Sequence, residues 1–134
     1  MHLPTITACY LAVLALLYSA LSLQVIRLRR SNLAAFNDGG NAALRSAIRA
    51  HANFIEYVPI VALMVGFLEM SGASPLRVHL LMGGLVLSRL LHPLGMYAAP
   101  NQSGFRVGRI GGMVLTIAVL ITSALLILGR TISG

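Results

Sequence analysis

Residues 42–70 read AALRSAIRAHANFIEYVPIVALMVGFLEM, a long apolar run that nevertheless carries several ionisable side chains. About 20 predominantly apolar residues are enough for a helix to cross a bilayer, so this run is long enough to span one. Ionisable side chains inside a membrane-spanning helix normally face the interior of a helix bundle rather than lipid. The run therefore predicts a membrane-spanning helix that packs against other helices of the same kind.

The polar residues of this run share one face of the predicted helix. They follow one another at intervals of four, four and three, and they are Arg45, Arg49, Asn53 and Glu56. A carboxylate at Glu56 would be costly in the apolar layer without a nearby cation. Arg49 lies too far along the helix to meet it directly. Arg89 in the third predicted helix, or an arginine at the start of the fourth, is expected to be its partner.

Two interpretations of this polar face remain open from the residues alone. It could be a buried ion-pair network that fixes the register of the helices without any chemistry. It could instead be an anion-binding pocket, because guanidinium groups suit carboxylates and phosphates. Anionic lipid headgroups would satisfy such a pocket equally well.

The segments on either side extend the same pattern over the whole chain. Residues 3–26 carry no charge, the turn-forming stretch 71–75 separates residues 42–70 from a further apolar run at 76–99, and a last apolar run is closed by Arg130. The prediction is a single all-α domain over residues 1–134, an integral membrane four-helix bundle. Its helices are expected at about 3–27, 42–70, 75–98 and 105–130.

Composition agrees with a membrane location. Of the 134 residues, 57% are hydrophobic and 10% are charged, against roughly 25% charged in ordinary soluble domains. The net charge of +7 does not indicate a nucleic-acid-binding module, because the arginines cluster at the ends of hydrophobic runs. That clustering predicts that loops 27–49 and 100–109 are cytoplasmic and that both termini lie on the other side.

Glycines predict close helix packing near the start of the fourth helix. Gly104, Gly108 and Gly112 recur every four residues. Both packing within the chain and a subunit interface would explain them. The histidines lack the spacing of metal ligands, so no metal site is predicted, and the sequence contains no nucleophile elbow or phosphate-binding loop.

The segment from Arg49 to Glu56, followed by Tyr57-Val58-Pro59, resembles the signature of the membrane-associated proteins in eicosanoid and glutathione metabolism, the MAPEG family. Members carry Arg-x-x-x-Asn-x-x-Glu at this point of their second helix. The stretch Val-Ile-Arg-Leu-Arg-Arg at 25–30, an Arg-x-x-His in the third helix and a glycine-rich start to the fourth recur in the same order. The resemblance covers nearly the whole chain and is strongest to the small bacterial branch.

The resemblance implies a homotrimer that binds glutathione between neighbouring subunits, in the cytoplasmic half of the membrane. Arg106 would lie near the sulfur and act in catalysis by favouring the thiolate. The residues expected to contact the tripeptide are Arg27, Arg49, Asn53, Glu56, Arg89, His92 and Tyr97.

Two positions depart from the family pattern. Ala52 stands where the eicosanoid-synthesising members have a second arginine, which would remove a partner for one ligand carboxylate. Tyr97 comes one residue later after His92 than is usual in the family.

The expected function is that of a glutathione-dependent transferase or peroxidase of a bacterial inner membrane. Its substrate would be a lipophilic electrophile or lipid hydroperoxide that enters from the bilayer. The alternative is a non-catalytic protein that binds glutathione, another anionic thiol or an anionic lipid in the same cleft. A transporter or proton relay that uses Glu56 and His92 is disfavoured, because the sequence contains no inverted repeat.

Overall fold

The computed structural model describes residues 3–99 and 101–133, and this part of the chain forms four long helices without strands. They are α1 (Thr5–Ser31), α2 (Ala42–Met70), α3 (Pro75–Met96) and α4 (Gly112–Ser133). A π-helical turn at Phe105–Gly111, called here the π segment, leads directly into α4. All four helices of the described residues are long and apolar enough to cross a membrane, the last counted together with the π segment. The predicted all-α membrane bundle is thus confirmed.

Some helix ends differ from the predicted positions. The first helix continues to Ser31, beyond 27, because Arg29 and Arg30 in its last turn are favourable next to the carbonyl end of a helix. The third helix ends at Met96 instead of 98. The fourth does not begin as an α-helix at 105, because its first seven residues form the π segment. At the start of α2, the Asn41 side chain accepts a hydrogen bond from the Leu44 amide at 2.9 Å and caps the helix.

The two central helices are α2 and α3, which pack against each other. Helix α1 contacts both of them on one side and α4 contacts both on the other side, and no Cα atoms of α1 and α4 come within 8 Å of each other in the described residues. Between α1 and α2, the Tyr18 ring stacks on His51 with ring centroids 4.7 Å apart. Most of the surface of α1 and α4 remains uncovered by the chain itself, and it carries large aliphatic side chains.

The chain crosses itself most closely where α3 meets the π segment. A Cβ atom placed on Gly108 would lie 2.5 Å from the Gly95 amide nitrogen, and one on Gly112 would lie 3.0 Å from the His92 nitrogen. Backbone therefore packs directly on backbone, as small residues allow in membrane bundles. Of the two explanations for the glycine repeat, packing within the chain accounts for Gly108 and Gly112.

A buried carboxylate lies at the other end of the bundle from the crossing of α3 and the π segment. Glu69 near the end of α2 is 8% exposed. It accepts hydrogen bonds from the Ile6 amide at 2.9 Å, the Thr7 amide at 2.8 Å and the Thr7 hydroxyl at 2.7 Å. These amides belong to the first turn of α1, which has no acceptor of its own there. Glu69 thus caps α1 from a neighbouring helix, a role that sequence analysis did not anticipate.

Candidate functional site

A cavity of about 370 Å³ lies between α2, α3 and the start of α4, at the arginine-rich end of the bundle. Its walls combine polar side chains with aliphatic and thioether groups. The lining residues are Arg49, Asn53, His92, Met96, Arg109, Ile110, Met113 and Val114.

Helix α2 contributes Arg49 and Asn53, which are one turn apart and therefore point to the same side. The other two members of the predicted polar face, Arg45 and Glu56, do not line the cavity. Arg45 forms an ion pair with Asp38 in the loop before α2, and its hydrogen bond lowers the pKa of that carboxyl group. Glu56 is exposed on the outer surface of the helix.

Helix α3 contributes His92 and, one turn later, Met96. His92 is 6% exposed, and its Nδ1 is buried without a hydrogen-bond partner among the described residues. Tyr97 does not line the cavity. Its hydroxyl accepts a hydrogen bond from the Gln24 side chain of α1 at 2.7 Å, and partial burial raises the pKa of the phenol. The additional residue between His92 and Tyr97 places Met96 where the tyrosine was expected.

The π segment contributes Arg109 rather than Arg106. The Arg109 guanidinium lies 5.3 Å from the centre of the Phe105 ring and lines the cavity. Arg106 is exposed and is not among the lining residues. Because hydrogen bonds in a π-helix connect residues five apart, its turn is wider than that of an α-helix, and side chains three residues apart diverge more. Short π-helical stretches are frequently found at functional sites.

Arg89 lies behind the cavity wall and is 1% exposed. Its Nη1 donates to Asn53 Oδ1 at 2.6 Å and to the Asn53 carbonyl at 3.1 Å, and its Nη2 donates to the Thr116 hydroxyl. The predicted ion pair between Arg89 and Glu56 is therefore wrong within this chain. Neutral acceptors satisfy the guanidinium, and Glu56 faces away from it.

Arg27 is also separate from the cavity. It is exposed on α1, where it lines a shallow groove with Arg30 and the aliphatic side chains of Leu23 and Ile26. Helix α1 packs on the side of the bundle opposite α4. Of the predicted ligand-binding residues, the structure brings Arg49, Asn53 and His92 together, with Arg89 directly behind them. Arg27, Glu56, Tyr97 and the predicted catalytic Arg106 lie elsewhere on the chain.

Sequence reasoning did not single out Arg109, Met96, Met113 or Thr116 as part of the site. Arg109 was interpreted only as a topology signal or as a partner for Glu56, and Met113 and Thr116 had no polar pattern that would distinguish them from other residues of α4. The one available signal was the spacing of Met96, four residues after His92, which places it on the same helix face.

The electrostatics of the cavity favour an anion. Two guanidinium groups and an amide line it, and no carboxylate does. The fully buried charge of Arg89 adds a third positive group nearby, also without an acidic partner in the described part of the chain. Guanidinium groups bind carboxylates and phosphates through paired hydrogen bonds. In the described residues, no group of three or more His, Cys, Asp or Glu side chains is arranged to hold a metal ion.

The fold and this site define a small integral membrane protein with a cationic cavity inside a four-helix bundle. The chain belongs to the MAPEG family, whose sequence profile it matches over residues 7–129. It is similar to the inner membrane protein YecN of Escherichia coli strain K12, with 40% identity over 92 residues, which cover 69% of this chain and 70% of the relative. The YecN protein of E. coli O6:H1 strain CFT073 matches to the same extent. No solved structure matches the chain.

Proposed function

We propose that this protein is a glutathione-dependent transferase or peroxidase of the inner membrane, acting on a lipophilic electrophile or a lipid hydroperoxide. The observation that carries the proposal is the composition of the cavity, which is lined by two arginines and an amide and by no carboxylate. Membership of the MAPEG family and the similarity to an inner membrane protein support it. In this proposal the arginine-rich end of the bundle faces the cytoplasm.

The ligand's charges suit the residues around the cavity. Glutathione carries two carboxylates, for which Arg49 and Arg109 are the partners available in the cavity wall. Its ammonium group requires an acid, and Glu56 on the outer surface of α2 is the candidate. The lipophilic electrophile or hydroperoxide would approach along Ile110 and Val114. Both residues line the cavity, and they are also 50% and 62% exposed on the outer surface.

The position of Glu56 supports a homotrimer in which a neighbouring protomer completes the site. Glu56 lies at the middle of Ala42–Met70, is exposed, and forms no ion pair with another described residue. A carboxylate facing lipid at that depth would cost several kcal/mol. A second copy of the chain would cover it, and Arg27 on the far side of the protomer would then face a neighbour's cavity.

In the proposed chemistry, the protein orients two reactants and stabilises a thiolate. For a transferase, the thiolate forms an S–C bond with the electrophile while the leaving group departs. For a peroxidase, the sulfur attacks the hydroperoxide, the O–O bond breaks to give an alcohol and a sulfenic acid, and a second glutathione converts the latter to disulfide and water. A guanidinium beside the sulfur raises the thiolate fraction at neutral pH.

Binding is tested by thermal unfolding of the detergent-purified protein with glutathione, with S-hexylglutathione and with a glutamate–glycine mixture. A ligand present at 100 times its Kd stabilises the folded state by about 2.7 kcal/mol. We expect both glutathione forms to raise the unfolding temperature and the mixture to have no effect. Arg49→Ala should abolish the shift, whereas Arg45→Ala, which removes an arginine one turn away that pairs with Asp38, should retain it.

Absence of a shift with the wild-type protein would refute glutathione binding, and anionic lipid headgroups would be tested next. Equal loss in the Arg45 and Arg49 variants would contradict the location of the site.

Measurements of turnover and of binding distinguish the roles of the two arginines of the π segment, Arg106 and Arg109. Arg106→Ala should abolish conjugation or peroxide reduction with little loss of S-hexylglutathione binding, because Arg106 lies outside the cavity proposed to hold the carboxylates and its proposed contribution is only to the thiolate. Arg109→Ala should weaken binding itself, because Arg109 lines the cavity. Initial rates over an electrophile and hydroperoxide panel, with Kd measured in parallel, provide the comparison. Full turnover in Arg106→Ala would remove Arg106 from the mechanism, and wild-type binding without turnover across the panel would favour the non-catalytic alternative.

A further inference from the structure

We propose that Arg89 and Thr116 are positioning residues that hold the Asn53 side chain as a hydrogen-bond donor toward the cavity, so that the site selects a carboxylate oxygen at this point. The inference deepens the proposed function and rests on its anion-binding cavity. Neither residue touches the ligand in this proposal. They act through Asn53.

The partner of the Asn53 side chain determines the orientation of its amide. An amide can present either its oxygen or its nitrogen to a neighbour, and the choice is decided by the hydrogen-bond network. A guanidinium has only donors. The group that faces Arg89 Nη1 at 2.6 Å must therefore be the amide oxygen.

The other end of the same amide is its nitrogen, Nδ2. With Oδ1 occupied by Arg89, the two hydrogens of Nδ2 remain. Nδ2 donates to the Met113 thioether at 3.8 Å, and this sulfur is a weak acceptor whose residue itself lines the cavity. The Asn53 nitrogen thus has donor capacity on the cavity side that an oxygen-rich ligand would use.

Thr116 keeps Arg89 in place. Its hydroxyl is fully buried and donates to the Gly112 carbonyl at 2.7 Å, so only its lone pairs are available to Arg89 Nη2. The hydrogen bonds therefore run in one direction, from Arg89 to Asn53 on α2 and from Arg89 through Thr116 to Gly112 on α4. The three helices that surround the cavity are linked by this one guanidinium.

Thr116→Val tests the arrangement, because valine has nearly the same shape but cannot accept a hydrogen bond. The loss of a hydrogen bond to a charged group corresponds to roughly a 10- to 150-fold effect on an equilibrium constant. We expect Kd for S-hexylglutathione to rise at least tenfold. Thr116→Ser should retain wild-type affinity, and so should the matched control Thr122→Val, which makes the same change at an exposed position of α4.

A second readout follows the amide directly. In protein labelled with ¹⁵N-asparagine, the Asn53 side-chain NH₂ signals, assigned by their absence in Asn53→Asp, should be resolved and sharp in wild type and in Thr116→Ser. They should shift and broaden in Thr116→Val. Because this measurement needs no ligand, it decides the positioning role even if glutathione does not bind.

Asn53→Asp, an isosteric change, tests the donor requirement directly at the residue that lines the cavity. Aspartate can still accept from Arg89, so the protein should fold, but it presents an oxygen to the cavity in place of a donor. S-hexylglutathione binding should fall by more than a hundredfold. Unchanged affinity in this folded variant, or unchanged NH₂ signals in Thr116→Val, would overturn the proposal.

Discussion

Gly95→Ala is expected to prevent the chain from reaching its folded state in useful amounts. A Cβ atom at Gly95 would fall on the backbone nitrogen of Arg109, and the reciprocal position, Gly108, is equally closed by the Gly95 nitrogen. Overpacking a core typically costs about 1–3 kcal/mol when side chains can adjust. Here the obstruction is backbone, so we expect a loss beyond that range and separation of α3 from the π segment.

The measurement is the yield of monodisperse protein in detergent, followed by thermal unfolding of whatever is recovered. Gly66→Ala is the matched control, because the new methyl would lie 3.8 Å from a Thr7 methyl group, an ordinary contact, and alanine favours a helix. A Gly95→Ala protein that unfolded at the wild-type temperature would show that α3 and the π segment do not cross in this way.

Glu69→Leu is expected to have the second largest effect on stability. The variant leaves the part-buried Ile6 amide and the buried Thr7 amide and hydroxyl without their acceptor at the start of α1. An unsatisfied buried donor costs about 1–3 kcal/mol, so the total destabilisation should reach about 3 kcal/mol or more. Glu69→Gln retains one oxygen and should lie between wild type and Glu69→Leu.

Thermal unfolding and limited proteolysis of the segment before α1 would measure the loss. Asp38→Asn is the control, because it removes a partly exposed carboxylate whose ion pair with the exposed Arg45 is solvent-screened, and its unfolding temperature should stay close to wild type. If Glu69→Leu were as stable as Asp38→Asn, the carboxylate would not be the cap of α1.

The sequence by itself determined that the chain is a membrane bundle of four helices. Hydrophobic length and turn-forming residues are local properties, and the bilayer requires backbone hydrogen bonds to close within each helix. The pairing of Arg49 with Asn53 on one side of α2 was equally accessible, because a four-residue interval fixes their relative direction. His92 could be associated with them through the family resemblance.

Only the tertiary structure decided which charges meet. The rotation and crossing of helices depend on contacts between distant segments, such as the backbone approach of Gly95 to Gly108. That crossing, together with the π segment, directs Arg109 into the cavity and leaves Arg106 outside. A sequence pattern interpreted with the α-helical period does not predict such a change of helix type. The same non-local packing gives Arg89 neutral partners, leaves Glu56 on the surface and makes Glu69 the cap of a helix more than sixty residues away.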